Sequence, residues 1–470
     1  MWMDRLGKWS RLTGTVVLTA AVTVFGLKLA GVDFSPLGAD ASYQKFVAAY
    51  TLLSESYFQD VSTKRLMDGA TEGMTRAVDD YPFTVYMDQQ TTKRFRDLVT
   101  SHFQGIGAVL AMQGGKLAVS SVLAGSPAQK AGLLPGDVLL QINGQRTDGM
   151  SLEQAVQRIR GVAGTHVVLS VLRGANQTVT LKLTRAQVTQ ATVYARLLPG
   201  HIGYLLITQF SEGTATAFMR DLDILQKSGM RGLIIDVRND PGGLLQSVAK
   251  IANDLLPRGS VIVQIDSRNH QRQIVRATGS TVHVPMVCLI DGGSASAAEI
   301  LAAALNESAH VPLIGERTYG KGTVQETEDF RDGSSIKITV ARWLTPDGQW
   351  IHKRGIAPTV AVPMPAYFRL PLLSLRLRKE YGPDTSGVPV AVLQRMLLAL
   401  GFDPGRTDGY YGVGTERAVA AFQKVHKIPA TGVVNSATAY ALDVSLVGQR
   451  QREDPQLTAA IGYLRLKLMG

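Results

Sequence analysis

The chain has 470 residues, 45% of them hydrophobic and 19% charged, and carries a formal net charge of +11. That length holds several domains with enough apolar material for real cores, and a single cysteine, Cys288, excludes an intramolecular disulfide and a Cys-rich metal site. The positive excess favours anionic surfaces such as lipid head groups or acidic wall polymers; with no basic-aromatic cluster or nucleic-acid motif, nucleic acid is not expected as a partner.

Arg5, Lys8 and Arg11 precede the apolar run "LTGTVVLTAAVTVFGLKLAGV", residues 12–32, with Lys28 near its end. This reaches the roughly 20 residues that cross a bilayer. Positive flanks stay cytoplasmic, so residues 1–11 read as a cytoplasmic tail, 12–32 as a membrane anchor, and the rest as exported to the extracytoplasmic side. A cleavable signal peptide is the rival reading, but the small-x-small site at Ala39 to Ala41 lies well beyond the apolar run.

Residues 33–100 read as a helical module. "YQKFVAAYTLLSESYF" and "TKRLMDGATEGMTRAV" space apolar residues at threes and fours, and "DDYPFTVYMD" breaks the pattern. Over 101–186 the pattern changes to hairpins and turns: alternation around Gly114-Gly115, then "SPAQKAGLLPGDVLLQINGQ", then the helix "SLEQAVQRIRG" opened by Ser151 with Gln154 three residues on, a capping-box pattern. With "GIGA" at Gly105 to Ala108, these residues resemble a PDZ domain. The resemblance implies that the backbone of Gly105, Ile106, Gly107 and Ala108 receives a peptide's terminal carboxylate while the peptide adds as a strand. Arg160, on the helix bordering that groove, is a candidate for bridging to a backbone of the following domain; a solvated helix-end arginine is the alternative.

Over 187–365 near-continuous apolar strands alternate with helices, as expected of an α/β layer around a buried sheet. Residues 366–386 look like a basic, proline-punctuated linker. Residues 387–445 set two amphipathic helices around a Gly/Asp-rich loop. With Leu393-Gln394, Leu400-Gly401, Asp408-Gly409, Phe422-Gln423 and Thr431-Gly432 they resemble the small helical peptidoglycan-binding domain of wall enzymes. Residues 446–470 read as an amphipathic C-terminal tail. The fold class is therefore multidomain α/β: an N-terminal anchor and helical module, a PDZ β-sandwich-like domain, an α/β core and a small all-α domain.

The stretch "DGGSASAAEI", residues 291–300, follows the apolar run "VPMVCLI" and holds Ser294 and Ser296. A serine nucleophile needs a proton acceptor and donors for the oxyanion. None of the eight histidines sits in a triad motif, and "GGSAS" lacks the second glycine of G-x-S-x-G. Lys321 lies between glycines in "GERTYGKGTVQ", which by itself reads as a solvated turn. S-x-x-K occurs at Ser42–Lys45, Ser247–Lys250 and Ser334–Lys337, so that pattern selects nothing.

The joint order of "GLIIDVRNDPGG", "GSASAAEI" and "GERTYGKGTVQ" after a PDZ-like unit closely resembles the C-terminal processing, or tail-specific, serine peptidases, over residues 41 to 365. The resemblance implies that Ser296 is the nucleophile, Lys321 the base and Gln325 the residue that orients the lysine amine. It also implies oxyanion donors at the N–H groups of Gly242 and Ala297, and a homodimer through the N-terminal helices, which periodicity alone does not show. Ser294 reads as a helix-capping hydroxyl, Glu307 as a helix-end surface residue, and Glu299, Asp236 and Arg238 as structural.

The resulting expectation is an exported, membrane-tethered Ser–Lys endopeptidase that needs no cofactor or metal. Its substrates are proteins with free C-terminal tails read by the PDZ unit, and 387–445 contacts peptidoglycan. A catalytically silent scaffold held in the wall is the competing class. A wall hydrolase is the enzymatic rival, without a paired-carboxylate or zinc-ligand motif to support it.

Overall fold

The computed structural model describes residues 40–469 apart from 114–115, 175–176, 270, 280–281 and 374–379. The run 12–32 and the Gly114-Gly115 turn lie outside the described residues. Among the described residues no helix is long and apolar enough to cross a membrane. The chain divides into two compact units, the first made of the N-terminal residues to Asp88 with Ser335–Lys337, the second of the remainder.

In the first unit, helices α1 (Ala41–Ser56) and α2 (Thr63–Arg76) are followed by strand β1 (Val85–Met87), which pairs antiparallel with Ser335–Lys337. Each helix starts where a side chain satisfies an orphan N–H: Asp40 accepts from Ser42 at 2.7 Å and Ser62 from Arg65 at 3.3 Å.

The second unit opens with α3 (Gln89–Thr100) and β2 (His102–Gly105). Next come β3 (Ala108–Gln113), β4 (Lys116–Val122), the short α4 (Pro127–Lys130), β5 (Val138–Ile142) and β6 (Gln145–Arg146). Helix α5 (Leu152–Ile159), β7 (His166–Arg173), β8 (Gln177–Thr184) and β9 (Ala186–Thr189) complete this part. The strands run β3-β4-β5-β7-β8 with β6 beside β5, so β3 is an edge; β2 pairs β9 separately. The sheet closes over Leu117, Leu139, Val167, Leu169 and Ile159. The capping box is formed: Ser151 N–H donates to Gln154 Oε1 at 2.9 Å and Gln154 N–H to Ser151 Oγ at 3.2 Å.

The α/β layer comprises β10 (Val193–Leu198), β11 (Ile202–Ile207), α6 (Thr214–Lys227), β12 (Gly232–Asp236) and α7 (Leu245–Leu255). It continues through β13 (Val261–Ser267), β14 (Arg272–Arg276), β15 (Met286–Ile290), α8 (Ala297–Ala309) and β16 (Leu313–Gly315). It ends with β17 (Thr323–Asp329), β18 (Ser335–Leu344) and β19 (Val360–Ala361). The main sheet has the order β10-β11-β12-β15-β16-β19, parallel from β11 onward. Its strands are apolar on both faces because both are covered. Leu205, Leu233, Ile235, Cys288 and Ile290 face α6, α7 and α8. Their neighbours Tyr204, Ile234, Val287 and Leu289 face the other way.

What covers that second face corrects the reading of 446–470 as a tail. Helices α9 (Val388–Ala399), α10 (Val413–Val425) and α11 (Ser436–Arg452) form the small helical domain. Helix α12 (Pro455–Met469) then returns to lay Ala460 and Leu464, both fully buried, on Ile202, Ile234, Val287 and Ile314. Burying one leucine side chain contributes about 1.5–3 kcal/mol. Arg238, just after β12, fixes the start of α12. Its guanidinium donates to Asp236 at 2.6 Å, Asp454 at 2.8 Å and Gln456 at 3.0 Å, and Tyr204 donates its hydroxyl to Asp236 at 2.7 Å. Burial alone would lower the pKa of Arg238, but the two carboxylates outweigh it and push it up.

The stretch read as a linker is also partly built in. Leu373 is buried with its N–H on Asp443 Oδ1 at 2.7 Å, and Tyr381 bridges to Val434. Within the helical domain two buried glutamines make the same set of bonds. Gln394 accepts from Gly409 N–H and donates to Tyr410 O and Thr415 Oγ1; Gln423 accepts from Gly432 N–H and donates to Val433 O and Thr438 Oγ1. Each pins a loop to its helix, an internal repeat that loops of unequal length hide in the sequence.

Candidate active site

Three loops at the C-terminal ends of β12, β15 and β16 interlock. The first, 237–244, is tied to the second, 291–296, by Asn239 N–H on Asp291 Oδ1 at 2.8 Å and Ala295 N–H on Asp240 O at 2.9 Å. The third, 316–322, joins the second through Tyr319 N–H on Ser294 O at 3.0 Å. Clefts at the carboxyl ends of parallel strands are where open α/β sheets place their ligands.

Ser294 is fully buried, and its hydroxyl donates to Val237 O at 2.7 Å. It locks the turn to β12 and does not cap the helix. The cap position belongs to Ser296, because α8 begins at Ala297. Ser296 is half-buried with φ of +56°, a region that a residue with a Cβ rarely occupies and that clusters at functional sites. Its N–H donates to Glu299 Oε2 at 2.9 Å. The adjacent Ala297 N–H is the first of α8, where N–H groups have no intrahelical acceptor and the helix favours negative charge.

Gly242 lies against this turn. A Cβ placed on it would sit 2.6 Å from Ala295 O, 2.8 Å from Ser296 Cβ and 2.9 Å from Ala297 N. The fold therefore brings Gly242, Ser296 and Ala297 together. Gly242 N–H, the expected oxyanion donor, is occupied in this geometry: it donates to Asp240 Oδ1 at 2.7 Å in an Asx-type turn. Asp240 is fully buried and, among the described residues, its Oδ2 has no partner. Burial pushes its carboxyl up to about 8, against the opposing pull of the Gly242 bond.

Lys321 is half-buried and its backbone is gripped on both sides. Its N–H donates to Glu299 Oε2 at 2.8 Å and its carbonyl accepts from the Trp343 indole at 2.8 Å. Trp350 donates to Gly322 O at 2.8 Å and stacks on His352 at 5.2 Å between centroids. The flanking glycines follow from crowding: a Cβ on Gly322 would lie 2.9 Å from His352 N, and one on Gly320 would lie 2.8 Å from Gly355 N. Gln325 donates its amide to Thr323 Oγ1 at 2.8 Å and Thr339 Oγ1 at 3.1 Å, which directs its carbonyl oxygen away as the acceptor end. Glu307 accepts from Asp347 N–H at 2.8 Å, and burial raises its pKa.

In the PDZ-like part, the carbonyls of the loop are tied inward. Ile106 O accepts from Ala128 N–H at 2.7 Å and Gly107 O from Leu123 N–H at 2.9 Å. Gly107 has φ of +75° and touches Ser126, so it admits no side chain; Gly105 and Ala108 flank it at the ends of β2 and β3. Among the described residues Arg160 has no hydrogen bond to a backbone of the α/β core. Its guanidinium pairs with Asp97 of α3 at 3.0 Å and lies 5.4 Å from the Phe103 ring centroid, since a carboxylate satisfies it closer at hand.

The roles of Asp240, Trp343 and Trp350 escaped the sequence reading. The link from Ser296 to Glu299 had a visible signal, the S-x-x-E spacing of a capping box.

Residues 201–362 match the model of peptidase family S41, 118–173 that of a PDZ domain, and 386–442 that of a peptidoglycan binding domain. Residues 32–91 match the N-terminal domain of the activating protease CtpB. The carboxy-terminal processing protease CtpA of Bacillus subtilis (strain 168) is 38% identical over 458 residues, covering 97% of this chain and 97% of that protein. CtpB of the same organism is 40% identical over 434 residues, covering 90% and 89%. Among solved structures, the photosystem II D1 C-terminal processing protease is 30% identical, covers 69% of this chain and 94% of its own, and has a TM-score of 0.41.

Proposed function

Because this chain belongs to peptidase family S41, with carboxy-terminal processing proteases as its relatives across nearly its whole length, we propose that it is an exported Ser–Lys endopeptidase that cleaves proteins near their C-termini. The observation that carries this reading is Ser296, a half-buried serine at φ +56° on a strand-to-helix turn, packed against Gly242 and joined through one carboxylate to the backbone of Lys321.

The chemistry follows from these groups. Lysine is ordinarily protonated, with a reference pKa near 10.4, so Lys321 acts as base only in its neutral form. Neutral Lys321 takes the proton of Ser296 Oγ as that oxygen bonds to the scissile carbonyl carbon. The carbonyl oxygen becomes an oxyanion received by Ala297 N–H and by the 242–243 loop, whose Gly242 N–H must first leave Asp240. Collapse breaks the C–N bond, and the lysine proton passes to the leaving amine. Water then attacks the ester, Lys321 again takes a proton, and the new carboxylate departs as Ser296 regains its hydrogen.

The PDZ part supplies substrate choice. Edge strand β3 offers its unpaired side for strand addition, and the loop that ties its carbonyls inward leaves N–H groups for a terminal carboxylate. Residues 12–32 would hold the protein at the membrane, and the helical domain would hold peptidoglycan.

The experiment is cleavage of a peptide with a free C-terminus by wild type, Ser296→Ala, Lys321→Ala and Ser294→Ala proteins. The first two substitutions abolish cleavage and the third leaves it measurable; full activity in Ser296→Ala would sink the assignment. Amidating the terminal carboxylate slows the wild-type reaction, and an unchanged rate removes the tail-reading role.

A further inference from the structure

The mechanism above leaves one buried acid beside the site without a role. Glu299 is fully buried, and its carboxylate accepts from Ser296 N–H at 2.9 Å, Lys321 N–H at 2.8 Å, Gly320 N–H at 2.7 Å and the Thr318 hydroxyl at 2.5 Å. Thr318 Oγ1 in turn accepts from Ile356 N–H at 2.7 Å, so its own hydrogen is committed to Glu299. The bonds divide evenly: Oε1 holds Gly320 and Thr318, and Oε2 holds Ser296 and Lys321. Each donor lies on a carboxylate lone-pair site, which only the ionised side chain offers in full.

A helix cap would need Ser296 alone. The other three donors come from a loop about twenty residues on, reached through a different strand of the sheet. Burial raises the pKa of this carboxyl, and the four bonds oppose that effect. Charge-assisted bonds of this kind are shorter and stronger than neutral ones. This one side chain joins the two loops at both reacting residues.

We propose that Glu299 is a positioning residue: one carboxylate oxygen, by accepting from the backbone of both Ser296 and Lys321, fixes the spacing and orientation of nucleophile and base. The proposal rests on the assignment of those two residues. Catalysis is sensitive to such placement, since a 1 Å displacement costs about 100-fold in rate.

The test uses the full chain with a peptide substrate bearing a free C-terminus. Glu299→Gln keeps the volume but replaces one acceptor oxygen with a donor amide, so it disrupts one half of the clamp. Thr318→Val removes one donor to Oε1, and with it the acceptor of Ile356 N–H, and leaves both Oε2 bonds. The values of kcat and KM and the thermal midpoint are measured for both, beside Ser296→Ala. The expected result is a fall in kcat of about 100-fold for Glu299→Gln and about tenfold for Thr318→Val, with KM within about twofold. A Glu299→Gln kcat within about threefold of wild type overturns the positioning role, even if Ser296→Ala is inactive and the enzymatic reading stands. An active Ser296→Ala protein overturns the reading itself. If Glu299→Gln does not fold, Thr318→Val decides: a lower kcat at unchanged KM and midpoint supports the clamp, and an unchanged kcat overturns it.

Discussion

Gly242 and Ser296 are packed so closely that a side-chain carbon on the glycine would lie 2.8 Å from Ser296 Cβ. Gly242 also has φ of +95°, which disfavours any L side chain. Gly242→Ala must therefore push the first loop off the nucleophile turn. The expected outcome is a loss of kcat of about 100-fold or more with tail binding to the PDZ part unchanged, read by steady-state cleavage and by fluorescence anisotropy of a labelled C-terminal peptide.

Asp240 gives a pH signature. Its folded carboxyl titrates near 8, whereas an unfolded aspartate titrates near 3.9. Between those values the native state holds a proton that the unfolded state has lost, so its contribution to stability falls as pH rises through that window. Asp240→Asn keeps an acceptor for Gly242 N–H and removes the titration. Thermal midpoints taken at pH 5 and pH 8.5 should fall further in wild type than in Asp240→Asn; equal falls would remove Asp240 as the source.

The grip of α12 on the sheet is testable at Leu464. This side chain is fully buried against the second face of the sheet, and its truncation to alanine should cost about 2–5 kcal/mol. Asp454→Asn weakens the charge-assisted bonds to Arg238 and should cost about 1–3 kcal/mol. Hydrogen exchange is the suitable measurement, because both changes should accelerate exchange at residues 232–236 and 286–290. A loosely attached tail would leave those amides protected.

The helical domain depends on its paired glutamines. Gln423→Leu leaves Gly432 N–H, Val433 O and Thr438 Oγ1 without their buried partner, a change of about 1–3 kcal/mol. We expect retention on purified wall material to fall while cleavage of a soluble peptide stays within about twofold. Loss of both together would indicate that the domain also supports the peptidase layer.

The parts of this architecture that rest on local signals were legible in the sequence. The capping box at Ser151 and Gln154, the alternation of β7 and β8, and the apolar strands of the main sheet all follow from spacing within one element. Ser296 was separable from Ser294 only through motifs elsewhere in the chain, and the structure supplies the physical distinction: Ser294 is sealed against Val237, Ser296 is not. What could not be read is pairing at long range. Arg238 and Asp454 lie 216 residues apart, and nothing in the amphipathic pattern of 455–469 names the surface it covers. The occupation of Gly242 N–H by Asp240 is a matter of loop geometry, invisible to a motif that marks only the glycines.

The return of α12 also sets an order of assembly. The peptidase layer is discontinuous: residues 193–361 build the sheet, and among the described residues the helix that packs on its second face is residues 455–469. Ile202, Ile234, Val287 and Leu289 therefore lack this helix until the helical domain that precedes it in the chain has emerged, so a half-made chain carries an unfinished catalytic layer. Removing the domain by truncation would leave the enzyme in that unfinished state, whereas replacing residues 387–453 as a cassette, with α11 kept whole and α12 retained, would not.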